Sequence, residues 1–207
     1  MQAVIFGEDQ NDCLAIASMT ERIFKGSLRV RPLREPMVLC PLNSSRSKLV
    51  KNRDRMKDAV ELLQKKLEVQ LVIVHRDADA CEPAHRIIAE ELEAAVAKRV
   101  GVKTVAAVPA WELETWLMLF PDAIARTRTC WNGIGEVRSP GKIVNAKEHL
   151  RRKTRSKKGK CPDYRESDAP LIAKQIVCSE DDLKEKCKMS SSFKRYVDVV
   201  VEAVKVT

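Results

Sequence analysis

Short apolar segments alternate with longer segments of helical periodicity through the first half of the chain. The apolar segments predict strands at residues 3–7, 37–42, 71–74 and 103–109. Apolar residues recur at intervals of three and four between them, which predicts helices at residues 12–23, 47–67 and 83–99. Parallel strands need a crossover connection, usually a helix. The pattern therefore predicts an α/β fold with a mainly parallel sheet flanked by helices.

The pattern changes after about residue 125. Turn-forming residues follow, and helical spacing returns at residues 141–150, 169–177, 180–187 and from 191 onward. A basic run without any acidic residue occupies residues 151–160; its seven basic side chains are Arg151, Arg152, Lys153, Arg155, Lys157, Lys158 and Lys160. Such a run is either a solvated loop or a contact surface for a polyanion. We predict an α/β domain over residues 1–125, and a basic loop with a small helical C-terminal region over residues 126–207.

The composition bears on the binding partner, the location and the state of the cysteines. The 207 residues carry 38 Lys and Arg against 29 Asp and Glu, a net charge of +9. This excess favours a polyanion such as nucleic acid, although a membrane surface would satisfy the same charge. No apolar window approaches the roughly 18 residues of a membrane span, so we expect a soluble, cytoplasmic protein. The seven cysteines are scattered without a Cys-x-x-Cys pair, which favours reduced, mostly buried thiols over disulfides or structural zinc.

Acidic residues follow three of the predicted strands. Glu8 follows the first strand, Asp77 and Asp79 follow the strand at 71–74, and Glu114 follows the strand at 103–109. The carboxyl ends of parallel strands meet at one edge of a sheet, so these acids are expected to lie together. Side chains alternate along an extended chain, so Asp77 and Asp79 should project to the same side and repel each other unless a cation lies between them. The alternative is a loop whose solvated aspartates cap the next helix.

The acids with this placement form a carboxylate set suited to one or two Mg²⁺ or Mn²⁺ ions. The predicted metal ligands are Glu8, Asp12, Asp77, Asp79 and Glu114, and the predicted catalytic residues among them are Glu8, Asp77 and Asp79. Asp12 is explained equally well as an acid that stabilises a helix N-terminus. Glu114 is preferred to Glu112, which we expect to cap the first helical turn. His75, at the end of a buried strand, is interpreted as a structural residue.

Other chemistries lack their motifs. There is no Gly-x-x-x-x-Gly-Lys-Ser/Thr sequence, and the acids after the first strand would repel a pyrophosphate. None of the three histidines accompanies a recognisable nucleophile elbow.

The sequence resembles a known family at three places: Glu8 followed by Asp12, the segment VIVHRDADAC, and the segment WELETW. These are similar to the TOPRIM domain of topoisomerases, bacterial primases and overcoming-lysogenization-defect nucleases. More narrowly, they resemble small stand-alone bacterial TOPRIM-like proteins associated with ATPase partners in mobile-element or phage-defence gene clusters. Asp9 departs from the family pattern, which commonly has glycine there, and Phe120 stands where an acid is common.

The resemblance implies a TOPRIM-like fold in which Glu8 is a metal ligand or general acid/base, Asp77 and Asp79 bind metal, and Glu114 completes the site. The function we predict is a Mg²⁺- or Mn²⁺-dependent nuclease, or nuclease subunit, that hydrolyses phosphodiester bonds in DNA or RNA. Topoisomerase activity is not expected, because Tyr164 and Tyr196 lack a nucleophile context. The alternative is a non-catalytic nucleic-acid-binding or assembly module that works with an ATPase partner.

Overall fold

The computed structural model describes residues 1–33, 46–131, 134–155 and 161–205. Within them, four strands form one sheet in the order β2-β1-β3-β4. The strands are β1 (Gln2–Phe6), β2 (Arg29–Pro32), β3 (Val69–His75) and β4 (Lys103–Ala107). All three neighbouring pairs are parallel. The predicted α/β class with a parallel sheet flanked by helices is confirmed.

Nine α-helices occur in the described residues. They are α1 (Gln10–Ile23), α2 (Arg46–Leu67), α3 (His85–Val100), α4 (Glu114–Leu117), α5 (Pro121–Thr127), α6 (Ala146–Thr154), α7 (Ala169–Lys174), α8 (Glu180–Met189) and α9 (Ser191–Lys205). Short 3₁₀ turns lie at Pro140–Lys142 and Glu166–Asp168. Among these helices, none is long and apolar enough to cross a membrane.

The predicted helices of the first half are present. One of them begins later than predicted, and the sheet has one strand that was not predicted. Pro83 precedes α3 instead of lying in its first turn, because the helix begins at His85. Strand β2 was not predicted, since its four residues, RVRP, contain a single aliphatic side chain. The strand predicted at 37–42 and the caps predicted at 43–45 lie outside the described residues.

Strand residues alternate between two apolar layers. Val4 and Val72 face the layer that contains α2 and α3, whereas Ile5 and Ile73 face the layer that contains α1. The sheet is therefore covered by helices on both faces, as the buried strands require.

The C-terminal helices belong to the same core as the sheet. The apolar cluster on the α1 side extends from Ala3 to Ala203 without a break at the predicted boundary near residue 125. Tyr196 of α9 is hydrogen-bonded to Thr20 of α1 at 2.6 Å, and its ring stacks on that of Trp116 at 5.1 Å. The described residues after position 125 are thus packed onto the α/β part and share its core.

A disulfide joins Cys130 to Cys161. The prediction of reduced thiols was wrong for this pair, because the two residues are 31 positions apart and meet only through tertiary packing. The indole N–H of Trp131 donates to the carbonyl of Pro162 at 2.9 Å, and its ring lies 6.4 Å from that of Tyr164. Free thiols are present as predicted at other positions, including two that are buried, Cys13 and Cys178.

Candidate metal centre

A cavity at the carboxyl edge of the sheet collects acidic side chains from separate parts of the chain. Its lining residues are Glu8, Asp9, Asp12, His75, Asp77, Glu114, Lys147 and Glu166. They come from the ends of β1 and β3, from α1, α4 and α6, and from the 3₁₀ turn that begins at Glu166. The structure brings together Glu8, Asp12, Asp77 and Glu114, as the parallel topology led us to expect. Their role as metal ligands stays a prediction.

Three side chains in this cavity converge most closely. His75 Nε2 lies 3.5 Å from Asp12 Oδ2 and 3.8 Å from Asp77 Oδ1. One ligand atom of each residue lies within 4.8 Å of the other two. Nδ1 of His75 lies 3.0 Å from the carbonyl oxygen of Ala107. A carbonyl can only accept, so Nδ1 carries the hydrogen and Nε2 faces the two carboxylates.

The start of α1 fixes the position of Asp12. Asp9 is the N-cap of α1, and its Oδ1 accepts from the backbone N–H of Asn11 at 2.7 Å and of Asp12 at 3.2 Å. Capping of this kind stabilises a helix by about 1 kcal/mol and orients its first turn. The departure from glycine at position 9 therefore has a local structural role.

Gly7 allows α1 and β3 to approach each other behind the cavity. A Cβ atom at position 7 would lie 2.7 Å from Cys13 Sγ and 3.1 Å from His75 Cβ. Any larger residue would displace His75 or the first turn of α1. The glycine before Glu8 thus sets the distance between Asp12 and His75.

Asp77 is the least satisfied carboxylate of the cavity. Its Oδ1 is buried and has no hydrogen-bond partner among the described residues, while its side chain as a whole is 30% exposed. Burial raises the pKa of Asp77 to about 8; Asp12 and Glu114 act in the same direction, and His75 opposes them. An orphaned buried acceptor destabilises a fold unless another group supplies positive charge. Within the described residues, no hydrogen-bond donor compensates the burial of this atom.

His75 supplies positive charge only when it is protonated. Burial alone lowers its pKa, but the hydrogen bond with Asp12 and the charges of Asp77 and Asp12 outweigh burial and raise the pKa to about 9. The two carboxylates therefore stabilise the protonated form of His75.

Glu114 is almost completely buried at the edge of the cavity. Tyr164, which is fully buried, donates its hydroxyl to Glu114 Oε1 at 2.8 Å. Burial raises the pKa of Glu114 to about 7, and the hydrogen bond from Tyr164 opposes this shift. Tyr164 was not predicted as a site residue, because the 50 positions between the two residues leave no local signal.

Glu112 caps a different helix from the one we predicted. It lies before the first residue of α4, and its Oε2 accepts from the backbone N–H of Lys147 at 2.9 Å, in the first turn of α6. The ammonium group of Lys147 lies 2.7 Å from Glu166 and 3.8 Å from Glu112. Burial lowers the pKa of Lys147, but these carboxylates and Glu114 outweigh burial and raise it. Lys147 thus brings a fixed positive charge to the cavity that no motif predicted.

Glu8 and Asp79 are both exposed, and only Glu8 lines the cavity. Burial of part of its side chain raises the pKa of Glu8; Arg76 and His75 oppose the shift and Asp79 adds to it. Asp79 has a left-handed φ of 50°, so the extended alternation on which its prediction was based ends before it. The expectation that Asp79 projects into the site with Asp77 was wrong in this respect. Any role for Asp79 as a ligand or catalytic residue stays a prediction.

The described part of the basic run extends away from the cavity along α6. Arg151, Arg152 and Lys153 are exposed in the last turn of α6, and exposed Arg155 ends it. Since a helix rises about 1.5 Å per residue, Arg155 lies about 12 Å along the helix from Lys147. Three other residues predicted to bind nucleic acid, Lys157, Lys158 and Lys160, lie outside the described residues.

Comparisons with protein-family models, with curated proteins and with solved structures found no match to this chain. The resemblance to TOPRIM domains therefore stays a prediction.

Proposed function

We propose that the protein is a divalent-metal-dependent hydrolase of phosphodiester bonds in nucleic acid, built on a TOPRIM-like fold. The observation that carries the proposal is the convergence of Glu8, Asp12, Asp77 and Glu114 on one cavity at the carboxyl edge of the sheet. These residues belong to three separate segments, namely the β1–α1 junction, the loop after β3 and the start of α4, so no single loop conformation explains their meeting. Open α/β sheets bind their ligands at this edge.

The donor set fits a divalent cation. Asp12, Asp77 and Glu114 offer carboxylate oxygens, and the buried Asp77 Oδ1 lacks a hydrogen-bond donor among the described residues. A divalent ion held there would act as a Lewis acid that activates water for attack on phosphorus and neutralises charge on the phosphodiester. We propose Mg²⁺ or Mn²⁺, because both ions bind oxygen-rich sites.

Side chains at the edge of the cavity have complementary roles in this proposal. Glu8 is exposed at the cavity, where its carboxylate would accept a proton from the attacking water. Lys147 would contribute positive charge beside a bound phosphate. The exposed basic turn of α6 would hold the phosphate backbone, which the acids alone would repel.

Cleavage assays test the hydrolytic proposal. Supercoiled plasmid, single-stranded DNA and single-stranded RNA would be incubated with Mg²⁺, Mn²⁺ or EDTA. We expect metal-dependent cleavage of at least one substrate, lost in EDTA and reduced at least about 100-fold in Asp77→Asn. Asp58→Asn removes the same charge from an exposed position on α2 and serves as the matched control. No cleavage of any substrate with either ion would refute the hydrolytic proposal.

The basic turn of α6 supports a second candidate, a non-catalytic nucleic-acid-binding or assembly module that works with an ATPase partner. The exposed arginines and lysine there would bind a phosphate backbone without any chemistry at the acids. Nucleic-acid binding without cleavage and without Mg²⁺ or Mn²⁺ binding would favour this candidate.

Neutralising part of this turn tests the interface common to both candidates. Arg152→Gln with Lys153→Gln should weaken nucleic-acid binding and reduce the slope of log affinity against log salt by about 1 to 2. Lys186→Gln with Lys188→Gln removes the same charge from the last turn of α8 and is the control. An equal effect of the two double variants would mean that net charge alone, and no particular surface, binds the nucleic acid.

A further inference from the structure

The imidazole of His75 is held in the arrangement of a metal ligand. Its Nδ1–H donates to the backbone carbonyl of Ala107 at 3.0 Å, which fixes the ring and leaves Nε2 directed at Asp12 and Asp77. Histidines that bind metals through one ring nitrogen almost always donate the other to a carbonyl or carboxylate in this way. The side chain is only 2% exposed, so the ring is held in place by the surrounding packing.

The spacing of the three atoms suits a small cation. His75 Nε2 is 3.5 Å from Asp12 Oδ2 and 3.8 Å from Asp77 Oδ1. Nitrogen and oxygen ligands about 2.1 Å from a shared metal are roughly 3.0–3.4 Å apart, so the two distances from His75 Nε2 need a contraction of only a few tenths of an ångström, and the three ligand atoms already lie within 4.8 Å of one another.

A proton on His75 Nε2 would satisfy the two carboxylates less completely than a shared metal ion would. A single N–H has one direction, and Asp12 is the nearer acceptor. The buried Asp77 Oδ1, which has no hydrogen-bond donor among the described residues, would remain unpaired. A cation at the meeting point contacts all three atoms at once.

We infer that Asp12, His75 and Asp77 form a nitrogen-and-oxygen ligand set that binds Mn²⁺ in preference to Mg²⁺. Imidazole is a good ligand for transition metals, whereas Mg²⁺ strongly prefers oxygen and keeps its waters. This inference rests on the proposed function, because the hydrolase and the ligand set both require a metal ion in this cavity. It assigns to His75 a direct contact with the ion, which the oxygen-only set predicted from sequence does not include.

Metal binding without substrate tests this assignment. Calorimetric titration of the apoprotein with Mn²⁺ and with Mg²⁺ would be done on wild type and on His75→Asn. Asparagine places its amide nitrogen near the position of Nδ1, so it keeps a donor for Ala107 and removes Nε2. We expect Mn²⁺ affinity to fall about 10- to 100-fold and Mg²⁺ affinity to change less than about threefold. Equal losses for both ions, or no loss of Mn²⁺ affinity, would overturn the assignment.

Pulsed electron paramagnetic resonance provides a readout on the unaltered protein. Wild type loaded with Mn²⁺ should show nitrogen hyperfine coupling from an imidazole, and His149→Asn, which changes a residue outside the cavity, should retain it. Mn²⁺ bound without nitrogen coupling would overturn the assignment even if His75→Asn failed to fold.

The two proposals can fail separately. Mn²⁺ binding that depends on His75, in a protein that cleaves nothing, would refute hydrolysis and leave the ligand set intact. Metal-dependent cleavage with Mn²⁺ affinity unaffected by His75→Asn would refute the ligand set and leave hydrolysis intact.

Discussion

Two carboxylates that follow β3 have opposite surroundings. Glu82 accepts hydrogen bonds from the Ser190 hydroxyl at 2.6 Å, from the backbone N–H of Ser192 at 2.9 Å and from that of Ser191 at 3.0 Å. These donors lie at the start of α9, where a negative charge also interacts favourably with the helix dipole. Burial raises the pKa of Glu82, but the hydrogen bonds outweigh burial and lower it. Asp77, by contrast, has a buried oxygen without a donor among the described residues and a raised pKa.

The difference separates a carboxylate that the fold supplies with hydrogen-bond donors from one that has a buried oxygen without a donor among the described residues. Glu82 connects the loop after β3 to the last helix, and its charge is fully compensated within the protein. The charge of Asp77 is compensated only in part, by His75. Functional sites commonly break a local rule that the rest of the structure obeys. Variants of the two residues should therefore affect different properties.

The largest expected effect is on metal binding by Asp77→Asn. Loss of the buried carboxylate should weaken Mn²⁺ binding at least about 100-fold, or roughly 2.7 kcal/mol. In EDTA the same variant should unfold at an equal or higher temperature, because it removes a charge that His75 compensates only in part. Calorimetric titration and thermal unfolding measure the two properties. A variant that loses stability in EDTA would mean that Asp77 has a structural role like that of Glu82.

Glu82→Gln should produce the opposite result. The amide lacks one acceptor and adds a donor next to N–H groups, so we expect a loss of about 2 kcal/mol in the free energy of unfolding and no change in Mn²⁺ affinity. Urea unfolding gives the free energy, and calorimetric titration gives the affinity. Glu91→Gln, at an exposed position of α3, is the matched control and should leave both unchanged.

The two carboxylates should also give opposite pH dependences in EDTA. The folded pKa of Glu82 is below 4.5, so its stabilisation is present above pH 4.5 and is lost as pH falls through the folded pKa. The folded pKa of Asp77 is about 8 against a usual 3.8, so stability decreases as pH rises between these values.

Unfolding free energies of wild type and both variants from pH 3 to pH 9 test these signs. The deficit of Glu82→Gln should shrink below about pH 4, and the advantage of Asp77→Asn should grow by roughly 3 kcal/mol between about pH 5 and pH 8. Parallel curves for Asp77→Asn and wild type over this range would contradict the raised pKa.

Sequence patterns predicted the features that depend on local order. Strands β1, β3 and β4 are apolar runs, and the parallel alternation placed Glu8, Asp77 and Glu114 at one edge because strand ends share that edge. The α/β class and this gathering of acids followed from the pattern alone.

Features that depend on distant contacts were missed. Lys147, the Tyr164 hydroxyl and the serines around Glu82 reach their partners across 35 to 110 positions, and no local pattern records such pairs. The interpretation of His75 as a structural residue agrees with its burial and its bond to the carbonyl of Ala107, but the sequence does not show that Nε2 faces Asp12 and Asp77. We predicted that Asp79 would project with Asp77 because we assumed that the side chains alternate along an extended backbone through Asp79. The backbone is instead left-handed at Asp79.

Glu114 is intermediate between the two carboxylates, since it has a raised pKa like Asp77 but accepts a hydrogen bond from Tyr164. Tyr164→Phe removes this hydroxyl and keeps the ring. We expect Mn²⁺ affinity to fall about threefold, or roughly 0.7 kcal/mol, because Glu114 is outside the closest ligand triad and loses only its orientation. Unfolding free energy in EDTA should fall by about 1 kcal/mol.

Tyr196→Phe is the matched control for this smallest effect. It removes a hydroxyl that is equally buried and bonded to Thr20, on helices that pack behind the cavity. Its loss of stability should be similar, about 1 kcal/mol, and Mn²⁺ affinity should not change. If both tyrosine variants weakened Mn²⁺ binding equally, the hydrogen bond to Glu114 would act through general stability of the core. A change confined to Tyr164→Phe instead means that the hydroxyl orients Glu114 toward the ion, which makes Glu114 a functional carboxylate like Asp77.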